Sequence, residues 1–219
     1  MAQTLSIILA QYYPDKTQLR HTLEVAQVLG AKRLRMFSFY IPAGKDPADY
    51  RNRVIDQVGE MLRVGEGSGV LFCHENEKGI YGDIASRCLD LHKTFPQMRG
   101  VFDPANYVQC GQETWSAWEE LNPYIDYLHI KDALADGSVV PAGKGLGNVK
   151  RILDAYRAQI AQIATCTIAQ LLGEDAKQFD NQTVTFVCTI VKNKIMTTKS
   201  NTLMAFTTVE DLTGSTEMI

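Results

Sequence analysis

The stretch LFCHENEKGIYGD, residues 71–83, places a histidine, two glutamates and an aspartate directly after an apolar run. The apolar run predicts a buried strand, yet the four side chains that follow it are unfavourable to bury. In a parallel (β/α) barrel the active site lies at the C-terminal ends of the strands, where polar residues face one shared mouth. The end of this strand is therefore the first candidate site.

Short apolar runs alternate with longer amphipathic segments between about Lys16 and Ile163. Four runs are predicted to be strands: residues 33–39, 69–74, 98–103 and 126–132. Four segments between them carry apolar residues at helical spacing: residues 17–30, 46–67, 82–95 and 114–124. Regular strand–helix units predict a parallel sheet with helical crossovers. The (β/α) barrel is the leading architecture and a doubly wound open sheet is the alternative.

After Ile163 the pattern becomes that of an all-β segment. A short helix is predicted at 167–172, and a stretch dense in Val, Ile, Thr and Phe follows, with turn signals at 199–201 and Thr213-Gly214. This pattern indicates an antiparallel meander. We place the boundary between about 158 and 166, which gives one domain over residues 1–160 and another over 161–219.

The composition is that of an ordinary soluble protein. The chain has 219 residues, 45% of them hydrophobic, and a net charge of -3, so nothing in it requires a polyanionic partner. The N-terminus lacks a signal-peptide pattern, and no run approaches the roughly 20 apolar residues of a membrane span. We expect a cytoplasmic protein that does not contact a membrane. The five scattered cysteines predict neither a disulfide framework nor a zinc knuckle.

Three polar side chains close successive predicted strands: Glu75, Asp103 and His129. Two carboxylates and an imidazole that converge from separate strands suit a divalent ion such as Mn²⁺, Mg²⁺, Co²⁺ or Zn²⁺. Each could instead be a solvated strand-end residue, or pair with Lys78 or Lys131. Three such residues in register favour a metal site.

The segments HENEKGIYGD, VFDPANYVQCG, PYIDYLHIKDA and VVPAGKGLGNVKRIL, in this order, resemble the sugar phosphate isomerase/epimerase family, the xylose-isomerase-like barrels. RMFSFYIPAGKDP at 35–47 resembles the strand and loop that precede them, so the resemblance covers about residues 15–156. It implies a sugar or sugar phosphate substrate and a divalent metal held by Glu75, Asp103, His129 and a further glutamate on the last strand. That glutamate, also a catalytic acid/base in the family, has no match here, and the first barrel units have none either.

Further residues at matching positions are candidates for substrate contact or catalysis. Glu75 is a candidate base as well as a ligand. Lys131 either contacts a substrate oxygen or phosphate, or pairs on the surface with the aspartate that follows it. Asn106 stands where many family members have a histidine that orients substrate. Gly143 and Gly145 resemble a phosphate-cradling loop before a helix, with a flexible loop as the alternative. Because one acid/base is missing, we expect weak or absent isomerase turnover.

The segments TIAQLL and VTFVCTIVKNKIMTTKSNTLMAFTTVEDLTGSTEMI resemble the OB-fold region of the bacterial DNA polymerase III alpha subunit, over about residues 165–219. This resemblance implies binding of single-stranded DNA through aromatic platforms and a basic groove. The candidate contacts are Lys192, Lys194, Lys199 and Phe206, and a solvated hairpin is the alternative. The fold class is then α/β, a partial TIM-type (β/α) barrel followed by a partial all-β, OB-like meander.

Three functional hypotheses follow. The first is a divalent-metal-dependent sugar isomerase or epimerase barrel, and the second is a single-stranded nucleic-acid-binding module. The third is a barrel endonuclease of the abasic-site class, which would need a histidine-rich trinuclear zinc site. The four histidines are too few for it, and His21 and His92 lie on predicted helices. Two partial domains in one chain also indicate a natural or engineered chimera without native function, in which unpaired strand edges would favour a homo-oligomer.

Overall fold

A computed structural model describes residues 4–6, 16–162, 164–198, 203–211 and 213–218. Within them, a parallel sheet has five strands in chain order: Thr4–Ser6 (β1), Arg33–Met36 (β2), Leu71–Glu75 (β3), Arg99–Phe102 (β4) and Ile125–Leu128 (β5). Strands β2 to β5 confirm the four runs predicted from the sequence. Strand β1 corrects the expectation that no barrel strand precedes the first helix, since it pairs with β2 in parallel. In the described sheet β1 and β5 are the edge strands, and self-association through them stays a prediction.

The described helices are Lys16–Leu29 (α1), Arg51–Val64 (α2), Ala85–Thr94 (α3), Pro104–Gln109 (α4), Thr114–Leu121 (α5), Val149–Ala161 (α6) and Ile168–Leu172 (α7). Short 3-10 turns lie at Pro47–Tyr50, Tyr81–Asp83, Asn122–Tyr124 and Glu174–Phe179. Helix α4 is not predicted by the apolar pattern. It forms because Asp103 caps its N-terminus and Pro104 occupies its first position.

The hydrophobic core lies between the sheet and the first helices. Leu34 and Met36 of β2 point to the same side as Phe72 of β3, and all three are buried against α1 and α2. Burying a side chain of this size contributes about 1.5–3 kcal/mol. Because strand side chains alternate between faces, the opposite face of the sheet carries Arg35 of β2 and Glu75 of β3. That second face carries the polar residues of the candidate site.

A hairpin follows the last strand of the parallel sheet. Its strands are Asp132–Ala133 (β6) and Val139–Val140 (β7), paired antiparallel. The sequence predicts one strand over 126–132, whereas the structure ends β5 at Leu128 and begins β6 at Asp132. Residues 129–131 between them bring side chains to the C-terminal end of the sheet.

The described residues divide into two compact units between Ile152 and Leu153, a few residues before the predicted domain boundary. The second unit confirms the predicted antiparallel meander, with three strands: Thr189–Thr197 (β8), Leu203–Glu210 (β9) and Ser215–Met218 (β10). Within this unit Asp211 Oδ2 accepts a hydrogen bond of 2.7 Å from the Ile168 amide at the start of α7. No described helix has the length and apolarity needed to cross a membrane.

Candidate metal centre

The parallel sheet brings the three predicted metal ligands to one edge. Glu75 is the last residue of β3, and Asp103 and His129 directly follow β4 and β5. The ends of adjacent parallel strands lie side by side, so their side chains meet at the C-terminal mouth. One possible ligand atom from each of the three residues lies within 4.8 Å of the others.

The cluster combines two buried carboxylates with a more exposed imidazole. Glu75 and Asp103 are 1% and 0% exposed, whereas the His129 side chain is 46% exposed. His129 Nδ1 lies 2.5 Å from Glu75 Oε1 and 3.3 Å from Asp103 Oδ2. The imidazole therefore turns one nitrogen toward both carboxylates and leaves part of its ring facing solvent.

One carboxylate oxygen of the cluster lacks a hydrogen bond. Asp103 Oδ1 accepts from the Asn106 amide at 3.1 Å, whereas Oδ2 is buried and has no hydrogen-bond partner of good geometry among the described residues. Lys131 Nζ, at 3.1 Å, is its nearby cation. The Lys131 ammonium partly compensates the charge of this buried oxygen, and a divalent cation would compensate it further. The donor set of two carboxylates and one imidazole fits such an ion.

The environment of Asp103 also raises the pKa of its carboxyl. Burial raises the pKa of the Asp103 carboxyl to about 6, against the opposing effect of the Lys131 ammonium, and the nearby charge of Glu75 adds to the rise. A metal ligand must be deprotonated to bind, so metal and proton compete for this side chain.

Two buried asparagines hold Asp103 in place. Asn76 Oδ1 accepts from the Asp103 amide at 2.9 Å, and Asn76 Nδ2 donates to the Asp103 carbonyl at 3.0 Å. Asn106 Nδ2 donates in turn to the Asn76 carbonyl at 2.7 Å. These bonds join the end of β3 to the end of β4. Asn76 directly follows Glu75 in the stretch 71–83, but no pattern in the sequence predicts its contacts.

Lys131 is held beside the cluster. Its Nζ donates to Asn106 Oδ1 at 2.8 Å, and its side chain keeps 29% of its surface exposed. Asn106 is 0% exposed, so in this structure its amide contacts Lys131 rather than open solvent. The alternative of a surface pair between Lys131 and Asp132 is wrong, because Asp132 is buried and binds other groups.

The glycine-rich loop before α6 is organised around Asp132. Asp132 Oδ2 accepts from the amides of Gly143 and Gly145, both at 2.9 Å, and Oδ1 accepts from Gly147 at 2.8 Å. A Cβ at Gly145 would lie 2.5 Å from Asp132 Oδ1, so only glycine allows this approach. The two amides predicted to cradle a substrate anion are occupied by this internal carboxylate.

Arg35 is a further charged neighbour of the cluster, and it was not predicted from the sequence. Its guanidinium donates through Nη1 to Glu75 Oε2. Periodicity alone places Arg35 on the same face of the sheet as Glu75, but the contact depends on the register between β2 and β3.

The candidate nucleic-acid contacts lie in the second unit. Lys194 stands opposite Phe206, and Lys192 stands opposite Thr208 in the β8–β9 register. These four residues line a cavity of about 210 Å³ together with Met196 and Glu217. Lys199 lies outside the described residues.

Comparison with known proteins supports the fold of the first unit. A family model described as Xylose isomerase-like TIM barrel matches residues 14–169. No curated protein matches the chain significantly. The chain resembles the crystal structure of the probable 3-DHS dehydratase AsbF from Bacillus anthracis, with 16% identity, a TM-score of 0.61, and coverage of 71% of this chain and 66% of that one.

Two more solved structures resemble the chain. A D-tagatose 3-epimerase-like protein has 18% identity, a TM-score of 0.59, and coverage of 71% of this chain and 66% of that one. The IOLI protein with a bound zinc atom has 16% identity, a TM-score of 0.58, and coverage of 73% and 63%.

The chain thus spans just under two thirds of the length of these three structures, and at such identities they support the fold alone. The OB-fold resemblance of residues 165–219 stays a prediction. The family match covers well over half of the chain, and the chain belongs to the Xylose isomerase-like TIM barrel family.

Proposed function

We propose that the first unit carries a divalent-metal site for isomerisation or epimerisation of a sugar or sugar phosphate. The observation that carries this proposal is the convergence of Glu75, Asp103 and His129 at the ends of three adjacent strands. Membership of the Xylose isomerase-like TIM barrel family supports it. Because the chain spans less than two thirds of the solved structures reported above, the activity of the whole protein is part of the proposal.

The contacts of Glu75 favour a ligand role over a base role. Arg35 binds its Oε2 and His129 Nδ1 lies against its Oε1, so neither oxygen is open to abstract a proton from a substrate. A divalent cation bound here would polarise a sugar carbonyl and acidify the neighbouring C–H bond. Lys131 is the partly exposed cation beside the cluster, and we assign it the catalytic role of donating a hydrogen bond or a proton to a substrate oxygen.

The proposed turnover of this chain is weak. Among the described residues, no other His, Cys, Asp or Glu joins the cluster of three. Proton transfer between adjacent carbons needs a positioned acid/base, and loss of one commonly lowers the rate by about 10²–10⁴-fold. We expect little or no turnover on a panel of ketoses, even with Mn²⁺ supplied. Ordinary turnover that Glu75→Gln abolishes would contradict this.

Isothermal titration of the full chain with Mn²⁺ and Co²⁺ tests the metal site. Wild type should bind one ion, and His129→Ala should bind it much more weakly. His21→Ala is the matched control, because His21 is an exposed histidine on α1 that lies outside the cluster. Equal titrations for wild type and His129→Ala would contradict the proposal.

A second candidate function is supported by one face of the second unit. Strand register places Lys192, Lys194 and Phe206 around one cavity, which suits a base stacked on an aromatic ring beside basic side chains. We propose weak, salt-dependent binding of single-stranded DNA there. Stacking on Phe206 would contribute about 1–3 kcal/mol per base.

A gel-shift assay at low salt tests this second candidate. Phe206→Ala should lower the affinity for an oligonucleotide. Lys177→Ala, an exposed lysine on the turn Glu174–Phe179, should leave it unchanged. Failure of the intact chain to retard the oligonucleotide would exclude the function.

A further inference from the structure

We propose that Arg35 positions Glu75 for metal binding, by holding Oε2 so that Oε1 is the oxygen presented to the cation. The inference rests on the metal site proposed above and extends it to a residue outside the ligand set. It makes Arg35 a positioning residue, since its guanidinium acts through Glu75.

The hydrogen bonds of Glu75 provide the first argument. Arg35 Nη1 donates to Oε2, while Oε1 lies 2.5 Å from His129 Nδ1. Because Glu75 is 1% exposed, water does not compete for either oxygen. Each oxygen therefore has its own partner, and Oε1 is the oxygen in contact with another candidate ligand, His129.

The strand register provides the second argument. Arg35 stands opposite Cys73, two residues before Glu75, so only a long side chain reaches the carboxylate along the strand direction. The guanidinium carbon of Arg35 also lies 5.5 Å from the centroid of the Phe37 ring. This contact restrains the side chain in the conformation that reaches Glu75.

The energetics of the pair provide the third argument. A buried carboxylate that loses its cationic partner is strongly destabilised, or it turns to find another donor. Hydrogen bonds from outside the ligand set orient ligating carboxylates, and their loss typically lowers metal affinity by about 10- to 100-fold. Without Arg35, Glu75 would be free to rotate and present either oxygen to the cation.

Arg33 provides a matched control on the same strand. It lies two residues before Arg35, on the same face of the sheet, and its guanidinium pairs with Asp126 rather than with a candidate ligand. Arg33→Gln therefore removes a comparable ion pair without touching Glu75.

Co²⁺ is titrated into the wild-type chain, Arg35→Gln, Arg35→Lys and Arg33→Gln. Calorimetry gives the affinity, and the visible absorption of bound Co²⁺ reports its coordination. We expect Arg35→Gln to raise the Kd by about 10- to 100-fold and to change the absorption spectrum. Arg35→Lys, which keeps a charged donor, should recover part of the affinity. Arg33→Gln should match wild type in both measurements.

If Arg35→Gln binds Co²⁺ with the affinity and spectrum of wild type, the inference is wrong, although the metal site itself stands. The same holds if Arg33→Gln loses as much Co²⁺ affinity as Arg35→Gln. A wild type that does not bind Co²⁺ would overturn the proposed function and this inference together, before any variant is compared. Circular dichroism checks folding. If Arg35→Gln does not fold, Arg35→Met, which fills a similar volume with an apolar chain, takes its place under the same criteria.

Discussion

Acidification should destabilise the first unit through His92, and a His92→Phe variant should show by how much. His92 is 2% exposed on α3 and stacks on Tyr124, with ring centroids 5.3 Å apart and an interplanar angle of 9°. Burial lowers the pKa of His92 to about 4, with a hydrogen bond to the Met98 backbone opposing the shift and the charge of Arg99 adding to it. His74 also faces it, at 6.3 Å between ring centroids.

The sign of the effect follows from the two protonation states. Below an unfolded-state pKa of about 6.5, the unfolded chain binds a proton at this histidine, whereas the folded chain does not until the pH approaches 4. The contribution of His92 to the free energy of unfolding is therefore fully present above about pH 6.5. It is lost as the pH falls from about 6.5 toward 4. Between pH 7.5 and pH 5 the loss from His92 alone is about 2 kcal/mol.

Urea unfolding followed by tryptophan fluorescence measures this loss of unfolding free energy in the first of the two structural units. Both tryptophans, Trp115 and Trp118, lie on α5 of the first unit. Phenylalanine keeps the ring stacked on Tyr124 and removes the titrating group. The unfolding free energy of wild type should fall about 2 kcal/mol more than that of His92→Phe between the two pH values. Parallel pH dependence in the two proteins would refute the reasoning.

Two further predictions concern residues that support the site. Asn76→Ala should weaken Mn²⁺ binding by about 10- to 100-fold, because it releases the backbone of Asp103; an unchanged Kd in calorimetry would contradict this. Gly145→Ala should destabilise the first unit by about 1–3 kcal/mol, since a Cβ would lie 2.4 Å from the Ala133 carbonyl oxygen. A melting temperature equal to that of wild type would contradict the second prediction.

The regular elements of the barrel could be predicted because their pattern is long enough to read. Strands β2 to β5 each sit in an apolar run, and amphipathic helices with helical spacing separate them. The exceptions are short. Strand β1 has three residues and β6 and β7 have two each, too few for any periodicity. Helix α4 depends on the cap from Asp103, which is a side-chain contact rather than an apolar pattern.

The candidate ligands could be predicted because each closes a strand, and parallel strand ends meet at one edge. The contacts that support these ligands could not be predicted from the sequence. Lys131 and Asp132 are neighbours in sequence, yet they bind different groups. Lys131 donates to Asn106 beside the cluster, whereas Asp132 accepts from amides of the glycine-rich loop. The contact between Arg35 and Glu75 depends on a register that the sequence does not specify.

Anomalous diffraction from crystals of the full chain grown with Mn²⁺ tests the central claim most directly. We predict one strong peak within about 2.0–2.3 Å of Glu75 Oε1, Asp103 Oδ2 and His129 Nδ1, the distances expected for metal–ligand bonds. Crystals grown in saturating Mn²⁺ with no peak among these three side chains, or with the ion bound elsewhere, would contradict it.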